Sequence, residues 1–334
     1  MSSKRSRIHP KYKTRYRVRN WASYDRALVH RGDLTIWFHD DAIASWEPDP
    51  SEARGRPHRY SSLAIETAVT LRLVYKLPWR QTEGLLGSLM RMLGLELSVP
   101  DHTTLSRRAR CCRVSVFPRD QSGALELVVD ATGLKVFGQG EWAAWKHGSR
   151  KTGPGWRKLH IGVDEDGTIV AGALSDAGTA DASVVPQLLE QIDTPISRFT
   201  ADGAYDRRAV YEAVLRAGAA LRIVVPPIRT AVVAGPSEPL LGQRDEAIET
   251  ISQVGRREWK KASGYHRQAK AENAFFRYKQ VVGRRLRART GQGQNMEVRV
   301  ACDVLNRMAS LGMPKSMAVV VDRQGRCQNA GEQS

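Results

Sequence analysis

The sequence predicts an α/β protein in which an N-terminal all-helical region precedes a domain built on a mixed β-sheet. Apolar residues recur with helical spacing between positions 61 and 110, which is typical of amphipathic helices. After position 120 the pattern changes to short apolar runs bounded by acids, glycines or prolines, which is typical of strands. A chain of 334 residues has room for one large and one smaller domain.

The chain is strongly basic. It contains 52 Lys or Arg and 35 Asp or Glu residues, a formal net charge of +17. This excess favours a polyanionic partner, and nucleic acid fits better than a membrane because no basic amphipathic helix stands out. Residues 1–20 contain Lys and Arg but no acid, and they are either a solvated tail or a basic arm that orders on DNA.

Other classes of protein are excluded by what the sequence lacks. None of the four cysteines belongs to a CxxC pair, which argues against a zinc site or a disulfide framework and fits a reducing cytosol. There is no run of about 18 apolar residues, and the basic N-terminus lacks the apolar core of a secretion signal. The GxxxxGK[ST], HExxH and GxSxG motifs are also absent. We therefore expect a cytoplasmic protein without a membrane partner.

The predicted helical region spans residues 21–118 and contains a Pro-rich linker at residues 47–59. Ser61 or Ser62 is predicted to cap the first helix after the linker. The Leu77-Pro78 pair should separate this helix from the next, which Gly94 can end.

A third short helix is predicted after Asp101, the expected N-cap, and it carries Arg107 and Arg108. Short helices with a basic last member indicate a helix-turn-helix whose last helix enters the major groove of DNA. A plain helical bundle would produce the same pattern.

Residues 119–312 are predicted to form the mixed-sheet domain. The expected order is three strands with a hairpin turn at Asp166-Gly167, a helix capped by Asp181 or Ser183, a strand, a helix and a strand. Further helices are predicted near residues 265–283 and 296–310. This is the layout of an RNase H-like domain. Residues 228–263 are predicted to be a small irregular insertion, and residues 313–334 a C-terminal tail.

Two acids occupy matching positions in this predicted sheet. Asp130 ends the apolar run of residues 125–129, and Asp202 ends the strand near residues 198–201. A carboxylate at a strand end lies at the edge of the sheet, and two on neighbouring strands can share a hard cation that prefers oxygen ligands. A strand-end Asp can also simply cap the following turn.

A third acid lies on the predicted helix near residues 265–283. Tyr265, Gln268, Glu272 and Lys279 are spaced by three, four and seven residues, so on a regular helix they share one stripe. Within this densely basic stretch a Glu is either a salt-bridge partner or a metal ligand on a phosphate-binding surface. Three carboxylates holding two Mg²⁺ ions would supply what phosphodiester transfer requires.

At these residues the sequence resembles the DDE transposases of bacterial insertion sequences, specifically the insertion sequence 5 family. The resemblance covers roughly residues 15–315. Its matching stretches are Asp130-Ala131-Thr132-Gly133-Leu134-Lys135-Val136, Gly140-Glu141-Trp142, Lys146-His147-Gly148, Trp156-Arg157-Lys158-Leu159-His160, Ala201-Asp202-Gly203-Ala204-Tyr205-Asp206, Gly264-Tyr265-His266-Arg267, Ala271-Glu272-Asn273, Arg277-Tyr278-Lys279 and Leu305-Asn306-Arg307-Met308, preceded by Leu77-Pro78-Trp79-Arg80-Gln81 and Val99-Pro100-Asp101-His102-Thr103-Thr104-Leu105.

The resemblance implies an RNase H-like core whose catalytic metal ligands are Asp130, Asp202 and Glu272, with Mg²⁺ as cofactor and Mn²⁺ as a possible substitute. It also implies DNA contacts by the signature residues Tyr265 and Lys279. The sequence departs from the family at Gln268, where relatives carry Arg.

The departure predicts a weaker DNA contact at Gln268, or one supplied by the neighbouring Arg267 or Lys270. The implied partners are double-stranded DNA, as the terminal inverted repeats of an element and as target, and further copies of the chain on that DNA. The implied location is the bacterial cytoplasm, on the nucleoid.

Two other functions fit the same residues. The first is an RNase H-like nuclease that cuts DNA without joining ends. The second is a DNA-binding repressor that keeps only the fold, which the presence of all three carboxylates disfavours.

Overall fold

The computed structural model describes residues 15–38, 40–48, 59–110, 123–136, 155–218, 221–321 and 327–329. Most of the predicted linker at residues 47–59 and much of the basic arm at residues 1–20 lie outside the described residues. So do the motif stretches at residues 140–142 and 146–148. The chain divides into two compact units, one formed by the described parts of Met1–Ile36 and Arg307–Ser334, the other by those of Trp37–Asn306.

The described helices and strands follow in chain order. They are β1 (Arg15–Val18), α1 (Trp21–His30), α2 (Leu34–Trp37), α3 (Asp40–Ala44), α4 (Ser62–Val74), α5 (Trp79–Met92), α6 (His102–Arg108), β2 (Leu125–Val136), β3 (Trp156–Val163), β4 (Ile169–Asp176), α7 (Val185–Leu189), β5 (Ile196–Thr200), α8 (Arg208–Ala217), β6 (Arg222–Val224), α9 (Gly242–Val254), α10 (Arg256–Ala262), α11 (Ala269–Val281), β7 (Arg285–Leu286), α12 (Gly291–Ser310), β8 (Ser316–Val321) and β9 (Cys327–Asn329). No helix among the described residues is long and apolar enough to cross a membrane.

The smaller unit joins the two ends of the described chain. Strand β1 pairs antiparallel with β8, and β9 pairs antiparallel with the other edge of β8. The Asn20 side chain ties these segments together, because it donates to the Met313 carbonyl at 3.0 Å and accepts from the Lys315 backbone N–H at 2.7 Å. The paired strands β1 and β8 lie in the predicted basic arm (residues 1–20) and the predicted C-terminal tail (residues 313–334), which were predicted as separate segments.

The helical region has the predicted caps. The Ser61 hydroxyl accepts from the Ala64 N–H at 3.0 Å at the start of α4. The Asp101 carboxylate accepts from the N–H groups of Thr103 and Thr104 at the start of α6. Helix α5 ends at Met92, and Gly94 follows with a φ of 65°. Helices α4 and α6 thus begin where a nearby side chain accepts from N–H groups that have no partner within the helix.

The larger unit contains a mixed sheet in the order β4-β3-β2-β5-β6. Strand β3 is antiparallel to both of its neighbours, β2 and β4, whereas β5 and β6 run parallel to β2. The prediction of a mixed-sheet α/β domain is thus confirmed. Apolar side chains from β2, β4, β5 and β6 form a buried core with α7 and α8 on one face; among them are Leu127, Val129, Leu188, Phe199 and Val214. Helix α11 packs against β2 and β3.

Residues 228–263 were predicted to be irregular, and this prediction is wrong, because helices α9 and α10 occupy most of the second half of the segment. Polar side chains attach α9 to the sheet. Gln243 accepts from the Ile223 N–H at 2.8 Å and donates to the Leu221 carbonyl at 2.9 Å. The Asp245 carboxylate accepts from the N–H groups of Ala234 and Gly235. Apolar contacts also hold these helices, because Ala247 of α9 and Trp259 of α10 pack in one buried cluster with Val224 of β6. The partners lie in other elements, so the local pattern does not reveal the two helices.

Candidate active site

Asp130 and Asp202 lie at the same level of the sheet. Asp202 follows the end of β5, whereas Asp130 is not at a strand end as predicted, because β2 continues to Val136 in its pairing with β3. Strands β2 and β5 are parallel and in register up to the pair Val128 and Thr200, and each Asp follows two residues later. Neighbouring strands are about 4.8 Å apart, and residues two apart point to the same face. Each carboxylate accepts one nearby N–H at 2.8 Å, Asp130 from Ala131 and Asp202 from Ala204. Both acids therefore lie where the parallel pair ends.

Helix α11 is held beside Asp130 by two hydrogen bonds. Just before the helix, the Gln268 side chain donates to the Val129 carbonyl at 3.2 Å. Near its end, the Lys279 ammonium donates to the Thr132 hydroxyl at 2.6 Å. The strand atoms in these bonds lie on either side of Asp130 in sequence, and the helix residues lie on either side of Glu272. The exposed Glu272 is thus carried on the helix segment between the two anchors.

The charges of these acids act on one another. The pKa of Asp130 is raised to about 6, mainly by burial; the Ala131 N–H bond opposes the rise, and repulsion from Asp202, Glu272 and Asp181 adds to it. Carboxylates that disfavour each other's charge in this way form an environment that a bound cation would stabilise.

Tyr265 lies within electrostatic range of all three predicted ligands. Burial raises the pKa of its hydroxyl to about 12, and the charges of Asp202, Asp130 and Glu272 act in the same direction. The Lys260 ammonium lies 4.5 Å from the centroid of the Tyr265 ring. Tyr265 therefore borders both the carboxylates and the basic side chains of α10.

Two residues near the site were not predicted as site residues, namely Asp181 and Tyr205. Asp181 was predicted as a possible helix cap, but the 3₁₀ turn that begins there has no side-chain cap, and its carboxylate pairs with the Lys158 ammonium at 2.9 Å. Tyr205 is buried, and burial followed by the charges of Asp181, Asp130 and Asp202 raises its pKa. The Tyr205 hydroxyl has no hydrogen-bond partner within the part of the chain that the structure describes. No local pattern distinguishes these residues from an ordinary cap and core aromatic.

The residues predicted to contact DNA between positions 265 and 279 do not all lie on one exposed helical stripe. Residues Tyr265–Gln268 form a 3₁₀ turn, and the regular helix begins only at Ala269. Gln268 is 5% exposed and faces the sheet, so it does not lie on the exposed stripe that the regular spacing predicted. Arg267 pairs with the Glu126 carboxylate.

The two arginines predicted on the last helix of the helical region differ from each other. Arg107 is exposed near the end of α6, whereas the Arg108 guanidinium donates to the Tyr60 carbonyl. Of this pair, Arg107 is the better placed to meet a partner outside the chain.

The residues fit a divalent metal by their chemistry. Asp130, Asp202 and Glu272 supply only oxygen donors, which are the ligands that Mg²⁺ takes. Among the described residues, no group of three or more His, Cys, Asp or Glu side chains is already close enough to hold an ion. The three acids are near enough to raise the Asp130 pKa, so side-chain movement would have to complete the ligand set.

Comparisons with known proteins give two matches to protein-family profiles. Both profiles are described as "Transposase DDE domain", and they match residues 29–139 and 121–306. One similar solved structure is the cryo-electron-microscopy structure of the simian T-cell lymphotropic virus intasome in complex with PP2A regulatory subunit B56 gamma. The sequence identity is 13% and the TM-score 0.24, with 59% of this chain and 64% of that chain covered. This chain therefore spans less than two thirds of the length of that relative.

Proposed function

This chain belongs to the family of proteins with a transposase DDE domain, whose profile covers residues 121–306, and from that premise we propose that it is the transposase of an insertion element. In this proposal it binds the ends of the element as double-stranded DNA, cuts a strand, and joins the freed end to target DNA. The motif resemblance supports membership of the bacterial insertion sequence 5 group and a location on the nucleoid. It also supports assembly of several copies on the two ends.

The observation that carries the proposal is the position of the three acids. Asp130 and Asp202 follow the last in-register pair of two parallel strands, and Glu272 lies on a helix anchored on both sides of Asp130. The strand order, with three antiparallel strands followed by two parallel ones, supports an RNase H-like core.

Asp130, Asp202 and Glu272 would hold Mg²⁺, with Mn²⁺ as a substitute. The bound metal would activate the attacking oxygen and stabilise the leaving one. Tyr265 would border the reacting phosphate, because the charges of all three carboxylates act on it.

The rest of the chain would hold the DNA. The net charge of +17 supports phosphate contacts, which dominate DNA affinity. Helix α6, with the exposed Arg107, is the proposed reading helix of the N-terminal region. Lys279 and Arg267 are proposed phosphate contacts that would exchange their present partners for DNA.

The test is a cleavage and joining assay on duplexes carrying the sequences that flank this chain's own gene. We expect strand cutting and joining in Mg²⁺ or Mn²⁺, and none in Ca²⁺ or EDTA, because Ca²⁺ tolerates geometries that misplace the nucleophile. Asp130→Asn and Asp202→Asn should abolish both steps while DNA binding stays within a few-fold. Asp193→Asn, which neutralises an exposed acid elsewhere, is the matched control and should remain active.

The outcome separates the three functions. Cutting without joining would indicate a nuclease, and specific binding without cutting in any metal would indicate a repressor. Undiminished cutting in EDTA would contradict the metal assignment.

A further inference from the structure

A cavity of about 1010 Å³ lies in the larger unit, away from the three acids. Three segments line it: the turn between α4 and α5, the end of α6, and the segment from the end of α11 to the start of α12. The cavity therefore lies between the helical region and the segment that follows α11, within one compact unit.

The lining of the cavity is dominated by cations. Among the described residues its wall contains seven Lys or Arg and a single acid, Glu297. The Glu297 carboxylate is 3% exposed and accepts from the backbone N–H groups of Arg287 and Ala288 at 2.7–3.0 Å. That acid is used to hold the backbone of the loop, so exposed cations such as Arg284 and Arg289 face the cavity without an acidic partner in its wall.

One wall of the cavity carries a buried guanidinium with unused hydrogen-bonding capacity. Arg72 is 6% exposed and stacks over the Trp79 ring at 4.2 Å from its centroid. Its Nε has no hydrogen-bond partner within the described ranges. A buried donor without a partner is costly, and a ligand oxygen in the cavity would satisfy it.

The opposite wall is held in place before any ligand binds. Besides the Glu297 bonds, the Gln294 side chain donates to the Ala288 carbonyl at 3.2 Å. The Thr290 hydroxyl accepts from the Gly293 N–H at 3.2 Å at the start of α12. Because these bonds fix the loop backbone, binding would have to order the arginine side chains but not the loop itself.

The sheet connects this cavity with the proposed active site. Strand β7 pairs with the end of β2, so Arg285 lies opposite Lys135. Lys135 is five residues beyond Asp130 on β2, a distance of about 17 Å along the strand. One strand of DNA has a phosphate about every 3.4 Å along the helix axis, so DNA that lies along β2 would have about five nucleotide steps over this distance.

We propose that this cavity binds the phosphodiester backbone of a DNA strand about five nucleotides from the bond positioned at Asp130. The inference rests on the proposed function and adds a second DNA site to it. The excess of cations over acids is larger than a single phosphate group requires, which favours a strand with several phosphates. Arg72 would bind one phosphate through its unused donor, and Arg284 and Arg289 would bind others.

The first experiment measures DNA binding as a function of salt concentration. The probe is a duplex selected by the wild-type protein from a random-sequence pool, and all variants carry Asp130→Asn to prevent cutting. Arg284→Gln/Arg289→Gln should make the log–log salt slope less negative by about 1.8 and lower the affinity about tenfold or more. Both side chains are exposed, so the melting temperature should not change.

The control is Arg208→Gln/Arg216→Gln on α8, which removes the same charge from exposed arginines paired with Glu238 and Glu212. It should leave the slope unchanged. Equal effects of the two double variants, or no effect of the cavity variant, would overturn the proposal. If the cavity double variant does not fold, Arg289→Gln alone should change the slope by about 0.9.

Two further experiments show where on the DNA the cavity binds and whether its ligand is DNA. Single methylphosphonate substitutions, which neutralise one phosphate each, should weaken binding most about five nucleotides from the cut bond. Calorimetric titration with ATP tests the other source of phosphate groups: ATP binding that the cavity variant removes, with DNA binding intact, would refute the inference.

Failure of the inference is distinguishable from failure of the proposed function. A wild-type protein that cuts DNA, with a cavity variant of unchanged slope, refutes only the cavity. A changed slope in a protein that never cuts DNA refutes only the catalytic assignment.

Discussion

Asp206 follows the proposed metal ligand Asp202 by four residues. Substitution of Asp206 should lower the stability of the fold, whereas substitution of Asp202 should remove only DNA cutting. The Asp206 side chain is fully buried and pairs with the Arg244 guanidinium at 2.8 Å. It also accepts from the Ile228 N–H at 2.8 Å and from the Tyr211 hydroxyl at 3.3 Å. We therefore expect Asp206→Ala to destabilise the fold, and Asp202→Asn to remove cutting while leaving the free energy of unfolding nearly unchanged.

The magnitude for Asp206→Ala follows from its partners. Removing one member of a buried ion pair costs about 3–5 kcal/mol, because the other charge stays buried. Arg244 keeps partial compensation, since the Asp245 carboxylate lies 3.9 Å away and the Val232 carbonyl still accepts at 3.0 Å. The loss should thus lie near the lower limit, at about 3 kcal/mol, a large part of the roughly 5–15 kcal/mol typical of folded proteins.

The assay is urea unfolding followed by circular dichroism. The control is Arg208→Gln, which breaks the exposed pair with Glu238 and should cost less than about 1 kcal/mol. The double variant Asp206→Ala/Arg244→Gln should lose less than the sum of the two single variants, because no charge is then left buried alone. An Asp206→Ala variant as stable as the control, or fully additive losses, would refute the reasoning.

Three further predictions concern the site and its surroundings. Glu272→Gln should reduce cutting by more than about 100-fold in a Mg²⁺ cleavage assay, because it removes a proposed metal ligand. DNA binding should stay within a few-fold, since Glu272 is exposed. Lost DNA binding would show that Glu272 has a structural role. Gln268→Leu should lower the free energy of unfolding by about 1–3 kcal/mol, measured in urea, because the donor to the Val129 carbonyl is lost, and an unchanged value would mean that this bond contributes nothing. Burial lowers the pKa of His160 to about 4, below its usual 6.5, so the unfolded chain takes up a proton first as the pH falls. The free energy of unfolding should therefore fall as the pH drops from about 6.5 to 4. His160→Gln should flatten this part of the stability–pH profile, and an unchanged profile would show that His160 is not the group responsible.

The sequence alone determined the features that depend on neighbours in the chain. The caps at Ser61 and Asp101 form as predicted, because each side chain meets an N–H two or three residues away. The change from helical to strand periodicity likewise placed the mixed sheet after residue 120. Asp202 was recognisable as an acid just after a strand, but the strand-end prediction is wrong for Asp130, because β2 continues to Val136. The metal-binding role of both acids stays a prediction.

Only the tertiary structure decided the features that depend on partners far along the chain. It pairs β1 with β8 across almost the whole sequence, and it stabilises α9 through bonds to β6 and to the loop before it. It also turns Gln268 toward the Val129 carbonyl, because the 3₁₀ turn before α11 breaks the regular spacing on which the exposed stripe depended. The physical reason is that periodicity reports which face of an element is apolar, whereas a buried hydrogen bond forms wherever the fold brings a donor to an unsatisfied acceptor.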